Sequence, residues 1–286
     1  KILTIVVFLV AAFGNLDPAN WSPFMPYGWF ERTAGGHTVG VLAGASMVFF
    51  AYIGFDAVTT AAEEARDPQR DLPLGIVGSL VFCTVIYIAV AAVLTGVVSY
   101  TQLNVPSPVA HALELLGHRW ASGLVAAGVI AGLLTVMLVL YYGLTRIIFA
   151  MSRDGMLPAV FGQISPRTQT PVTTIVVVGT ICALFAGFIP LGKLAELVNI
   201  GTLFAFVMVC VGVMVLRYTQ PDLHRPFRTP WNPLIPVLGT ASCGALMVFL
   251  PADTWLRFLV WLGLGAAFYF AYSMRHSALA THTGPT

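Results

Sequence analysis

The stretch Gly44–Asp56, GASMVFFAYIGFD, decides how this chain is read, because it makes demands that one regular helix cannot meet. It lies inside an apolar run over residues 38–62, longer than the roughly 20 residues with which a helix crosses a bilayer. Within the run Phe49, Phe50, Tyr52 and Phe55 surround Gly54, and an acid, Asp56, falls near mid-depth. A carboxylate at that depth is costly unless it faces a cavity or a partner, so it marks a functional site by default. Glycine is the residue at which a membrane helix loses regular geometry most cheaply. Backbone groups freed by such a break are tolerated only against protein or a water-lined cavity. Broken helices of this kind are what a transporter uses to hold an ionic solute. The bland alternative is a spanning helix with an ordinary packing glycine.

Composition points the same way. The 286 residues are 58% hydrophobic and 9% charged, with a mean hydropathy of +0.86. A soluble domain carries about 25% charged residues, so the expected class is an all-α polytopic membrane protein embedded in a lipid bilayer. A net charge of +2 argues against a nucleic-acid partner. Cys83, Cys182, Cys210 and Cys243 lie far apart, each inside an apolar run, which is the habit of a buried free thiol. They show neither metal-ligand spacing nor a disulfide framework. His111 and His118 stand seven residues apart, not at the i,i+4 spacing that grips one ion. No nucleophile–base arrangement and no phosphate loop is visible, so the expectation is no metal, no cofactor and no enzyme.

Ile2–Phe13 reads as the last turns of a spanning helix, and hence the chain as a piece of a longer protein. A loop follows over residues 15–37, in which Trp21, Tyr27, Trp29 and Phe30 suit a membrane–water interface. Apolar segments then recur at 38–62, 74–98, 119–150, 171–189, 194–217, 234–250 and 255–275. Pro73, Pro158, Pro171, Pro190, Pro221, Pro230 and Pro251 sit at or near their ends and none in an interior, as start and stop signals should. Asp71 is the expected N-cap of the 74–98 span, with Pro73 in its first turn. HALELL, residues 111–116, reads as a short amphipathic helix in a surface connection. Residues 218–233, rich in Pro and Arg, form an interfacial loop before a final helix pair.

Basic residues orient the chain. The side reached after residues 38–62 holds nine arginines: Arg66, Arg70, Arg146, Arg153, Arg167, Arg217, Arg225, Arg228 and Arg275. The opposite side holds four basic residues, Arg32, Arg119, Lys193 and Arg257. Positive charge collects on the cytoplasmic side, so the 15–37 loop is expected outside and the tail, residues 276–286, inside a plasma (inner) membrane.

Few polar residues interrupt the spans. Thr135 and Asn199 are the candidates for a polar path, although a threonine in a membrane helix also bonds its own backbone carbonyls. Asn199 is the better placed for a hydrogen bond between helices, while Glu196 reads as interfacial and structural. Arg146 is expected to extend its charged head to the interface. Glu63, Glu64, Arg66, Asp67, Arg70 and Asp71 read as a solvated, salt-bridged cluster.

Taken together, FFAYIGFDAVTTAAEEARDPQRDLP at 49–73, TRIIFAMSRDGMLP at 145–158 and ELVNIGTLFAFVMV at 196–209 resemble the amino acid–polyamine–organocation permeases. Within that superfamily they are closest in look to the cationic amino acid transporter branch and its bacterial relatives, and NWSPFMPYG at 20–28 fits the same branch. The resemblance implies the leucine-transporter fold, built from two inverted five-helix repeats and extra helices. Residues 1–14 would end helix five, 38–217 would be the second repeat (helices six to ten), and 234–275 accessory helices eleven and twelve; the first repeat would be largely absent. It implies a secondary amino acid transporter, with substrate at a break in helix six: Phe50, Ala51, Tyr52, Ile53 and Gly54 would meet the α-amino group, Phe50 closing over it. Asp56 would serve proton coupling or the substrate side chain, making proton symport the expected mode. Lys1 would lie in the region of a helix-five lysine that replaces a sodium ion in some relatives, without a fixed alignment. Two other readings stand beside this one: an amino acid sensor that binds without flux, and a membrane enzyme using Asp56 with Glu63 or Glu64.

Overall fold

The structure, a computed structural model, describes residues 1–32, 38–56, 59, 66–222 and 229–277. Glu63, Glu64, Arg225 and Arg228, named above, lie outside the described residues. The chain divides into two compact units, one of Lys1–Pro26, Gly54–Thr59 and Asp71–Tyr141, the other of Tyr27–Ile53, Thr60–Arg70 and Tyr142–Thr286.

In the first unit, α1 (Ile2–Phe13) is the apolar tail helix. It shares a core with the long helix α3 (Pro68–Val97), the short helix α4 (Pro108–Leu115) and the opening turns of α5 (Arg119–Arg153). Phe8 and Ala12 of α1 meet Val93, Leu113, Ala121 and Val125 there. The connection after α1 is tied down by polar contacts to the end of α3. Asn20 donates to the Gly96 carbonyl at 2.9 Å, and the Trp21 indole N–H to the Ala92 carbonyl at 3.2 Å. The amphipathic reading of residues 111–116 corresponds to α4, whose Ala112 and Leu113 are buried.

The second unit opens with a two-stranded ribbon, β1 (Glu31–Arg32) antiparallel to β2 (Thr38–Val39), and α2 (Val41–Val48). After the last turns of α5 come α6 (Val172–Phe188), α7 (Leu191–Thr219), α8 (Leu234–Val248), α9 (Ala252–Phe268), a π-helical turn (Tyr269–Ser273) and α10 (Met274–His276). Its core joins Ile200 and Leu203 of α7 to Met247 of α8, Leu250 of the connection and Phe258 of α9. The MSRDGMLP segment has a structural use. Gly155 at φ +77° ends α5, its N–H bonding the Ser152 carbonyl while that of Met156 bonds Met151 at 2.8 Å. This pair of bonds satisfies the last carbonyls of a helix and needs a left-handed residue, hence glycine. Ser273 then donates to the Met156 carbonyl at 2.7 Å, fixing the π turn against that loop.

A strand, eight residues of α2 and a 3₁₀ turn (Phe49–Tyr52) account for residues 38–52, so the bland alternative of an uninterrupted spanning helix does not hold there. Two expectations are corrected. Pro73 is not in the first turn behind an Asp71 cap. The helix starts at Pro68, whose missing N–H costs nothing there, Asp71 lies in its first turn, and Pro73 is inside it. The cysteines are not fully buried, and Cys182 is exposed. Among the described residues four helices are long and apolar enough to cross a membrane: Pro68–Val97, Arg119–Arg153, Leu191–Thr219 and Ala252–His276. α6, with 17 residues, and α8, with 15, are shorter than the roughly 20 residues that match a bilayer core. The molecule is a mostly helical, polytopic membrane protein.

Candidate functional site

The interruption is built in three steps along the chain. α2 ends at Val48 and tightens into the 3₁₀ turn Phe49–Tyr52, after which the Ile53 N–H reaches back only three residues, to the Phe50 carbonyl at 3.2 Å. Ile53 is extended, at φ −60° and ψ 132°. Gly54 follows at φ +120°, a conformation that side-chain-bearing residues avoid. Helix therefore stops where glycine permits it. Residues Gly54–Thr59 are grouped with the other compact unit. There the Gly54 N–H donates to Oδ1 of Asp56 at 3.2 Å, and the Thr59 hydroxyl to the Asp56 carbonyl at 2.6 Å.

Asp56 is thus not a charge inside a continuous helix; it lies beyond the interruption, half-buried, with one carboxylate oxygen accepting a backbone N–H. Hydrogen bonding to the ionised form is what makes a carboxylate tolerable away from bulk water. Phe50 keeps 44% of its surface exposed and Ala51 is exposed, whereas Tyr52, Ile53 and Gly54 are half-buried.

Asn199 is fully buried on α7. Its amide nitrogen donates to the carbonyls of Ser46 at 3.0 Å and Met47 at 3.3 Å, both in the last turn of α2. Ser46, also fully buried, donates through its hydroxyl to Leu42 within α2 at 3.0 Å and to Leu246 on α8 at 2.8 Å. Oδ1 of Asn199 has no hydrogen-bond partner among the described residues. Thr135, in the first unit, bonds its own helix, donating to Gly132 at 2.8 Å and Ala131 at 3.2 Å. It lines a shallow cleft of about 590 Å³ with Lys1, Ile2, Leu3, Ala131 and Gly132.

Glu196 takes its place at the start of a polar tie between α7 and α9. One oxygen, Oε2, accepts from the buried Thr254 hydroxyl at 2.8 Å and from Arg257 at 3.3 Å. Arg146 donates to the Tyr142 hydroxyl at 2.8 Å, one turn back on α5. His111 and His118 are half-buried. Among the described residues no group of three or more His, Cys, Asp or Glu side chains is placed to hold a metal.

Reading the sequence alone missed Ser46, Thr254 and Arg257. Ser46 stood inside the quoted stretch, two residues after Gly44; its signal was a small hydroxyl at i,i+3 and i,i+4 spacing from Phe49 and Phe50, on their helix face. Nothing in the linear order ties Thr254 to Glu196, 58 residues away.

The amino acid permease family model matches residues 1–268. The chain is 45% identical over 279 residues to a methylthioribose transporter of Bacillus subtilis, covering 98% of this chain and 59% of that protein. It is 46% identical over 280 residues to the branched-chain amino acid permease BcaP of the same organism, covering 98% of this chain and 58% of that one. The vacuolar cationic amino acid transporter 4 of Arabidopsis thaliana is 42% identical over 219 residues, which are 76% of this chain and 36% of the plant protein. The chain thus spans a little under three-fifths of the two bacterial relatives. All three are named as transporters or permeases, none as an enzyme.

Proposed function

The chain belongs to the amino acid permease family, and from that premise we propose that it serves the proton-coupled transport of an amino acid by alternating access. The substrate ammonium is held at the interruption Phe50–Gly54, with Phe50 closing over it and Asp56 carrying the proton. The single observation behind this reading is the local backbone: a helix that tightens, becomes extended at Ile53 and turns at Gly54, followed by a carboxylate bound to that glycine's N–H. Helix ends leave carbonyl groups outside the ladder, and such ends inside a membrane protein suit ionic groups of a solute. Residues 38–217 are assigned to the second repeat of a leucine-transporter-like fold and 234–275 to the accessory pair. Thr135, beside Lys1 in its cleft, is assigned to the polar path. The protein resides in the plasma membrane with its C-terminus in the cytoplasm.

Substrate choice is open between two chemistries, because identity is nearly equal to an amino acid permease and to a transporter of a thiosugar, methylthioribose. The test is counterflow and gradient-driven uptake in proteoliposomes, with the protein in its whole encoded length. The panel is leucine, arginine and methylthioribose. Amino acid uptake driven by an inward proton gradient and indifferent to sodium is expected. Asp56→Asn keeps an oxygen for the Gly54 N–H but cannot ionise; it should retain counterflow and lose the response to the gradient. Uptake that follows sodium instead would remove the proton mechanism. Binding without counterflow would favour the sensor, and product formation an enzyme.

A further inference from the structure

We propose that Asn199 is the positioning residue that sets the end of α2, and through it the substrate site at Phe50–Gly54; this rests on the transport reading above. The carbonyls it engages, Ser46 and Met47, stand immediately before the 3₁₀ turn. A donor placed beside a helical ladder draws carbonyl oxygens away from the axis, and helices bend where a side chain enters the ladder. The passage from α-helix to tightened turn at Phe49 therefore has a cause outside α2 itself. Ser46 ties the same turn to α8 as well, through its hydroxyl bond to the Leu246 carbonyl. The last turn of α2 is held by α7 and α8 together.

The amide can face only one way. Exchanging its oxygen and nitrogen would set an acceptor against two carbonyl acceptors, so Nδ2 faces α2 and Oδ1 is left in the interior with no partner among the described residues. A buried acceptor without a donor is destabilising. If the space only needed filling, leucine, similar in size and without polar atoms, would fill it at no such cost. What the amide adds is geometric: the position of the carbonyls at the end of α2.

Two substitutions test this in proteoliposomes with equal pH on both faces, so that no gradient drives exchange. Asn199→Leu should raise the apparent KM for counterflow about tenfold, the equivalent of one hydrogen bond, with a smaller effect on the maximal rate. Asn199→Asp supplies a readout that simple packing does not move. Ionised, the carboxylate opposes two carbonyl oxygens; protonated, it offers one O–H donor. Its affinity relative to the unsubstituted protein should therefore improve about tenfold or more as the pH falls from about 8 to about 5. Other ionisable groups on the packed elements are Lys193, Glu196, Cys210, Arg217 and Tyr218 of α7, Cys243 of α8, Asp253 and Arg257 of α9, and Tyr52 of the 3₁₀ turn; α2 has none. They are present in both proteins, so the ratio removes their contributions. An unchanged KM for Asn199→Leu, or a ratio for Asn199→Asp that is flat with pH, overturns the proposal. Should Asn199→Leu fail to insert, the pH series within one preparation of Asn199→Asp decides alone. If the unsubstituted protein exchanges nothing, it is the transport reading that fails; if it exchanges normally and both variants match it, only the role of Asn199 fails.

Discussion

Gly54 and Gly44 separate two uses of one residue type. Among the described residues, a Cβ added at either meets nothing within 4 Å. Gly44 lies in the middle of α2 with ordinary helical torsions, whereas Gly54 stands at φ +120°. Gly44→Ala should therefore be tolerated and gain roughly 0.5–1 kcal/mol of helix propensity. Gly54→Leu forces a side chain into a torsion it avoids, at a cost on the order of 1–3 kcal/mol, or else rebuilds the turn. Its expected outcome is normal membrane insertion with counterflow reduced at least about tenfold. Equal counterflow by the Gly54 and Gly44 variants would mean that the turn at Gly54 plays no part in binding.

Between elements, polar contacts hold what apolar packing leaves unspecified. α7 and α9 share an apolar core through Ile200, Leu203 and Phe258, yet apolar faces in a membrane slide at little cost, because lipid is as apolar as leucine. Thr254 and Arg257 fix the register by sharing one oxygen of Glu196. The Arg257 side chain is 34% exposed, so its ion pair counts for little; the buried threonine hydroxyl is the contact at risk. Glu196→Leu leaves that hydroxyl without its acceptor and should cost roughly 1–3 kcal/mol, read as earlier unfolding in detergent. Glu196→Gln keeps an oxygen for Thr254 and should cost clearly less. Equal losses from the two would show that charge, rather than the hydroxyl, ties α7 to α9.

At the scale of the whole molecule the open matter is which helices cross. Nine arginines against four basic residues on the other face argue for a cytoplasmic C-terminus. The short helices α6 and α8 are 17 and 15 residues long, about 26 and 22 Å at 1.5 Å per residue, against a core near 30 Å. They cross only if the bilayer thins or flanking residues reach its surface. Single cysteines at Ser22, Thr168 and Ser277, with Cys83, Cys182, Cys210 and Cys243 replaced, are to be probed on intact cells with an impermeant thiol reagent. Labelling is expected at position 22 only. Labelling at 277 without labelling at 168 would mean that a helix beyond α6 turns back without crossing, or that α6 itself does.

The sequence by itself determined the class, the helices and the place of the interruption. Apolar runs set helix positions, because a backbone in lipid must satisfy its own hydrogen bonds. Gly54 marked the interruption of the 38–62 run, because its torsional freedom belongs to the residue and not to its surroundings. Asn199 was legible as a polar group between helices for the same kind of reason: an amide in an apolar span needs a partner. Which partner it takes was not legible. The carbonyls of Ser46 and Met47 lie 153 and 152 residues away in the chain, and a carbonyl is common to every residue, so no side-chain pattern points to it. The start of α3 escaped for a different reason. Pro68 and Pro73 are both residues a helix accepts in its first turn, and residue type alone does not separate them. Only the folded structure gave Asp56 its contact: Oδ1 accepts the Gly54 N–H two residues back, because the torsion adopted at Gly54 decides where that N–H points.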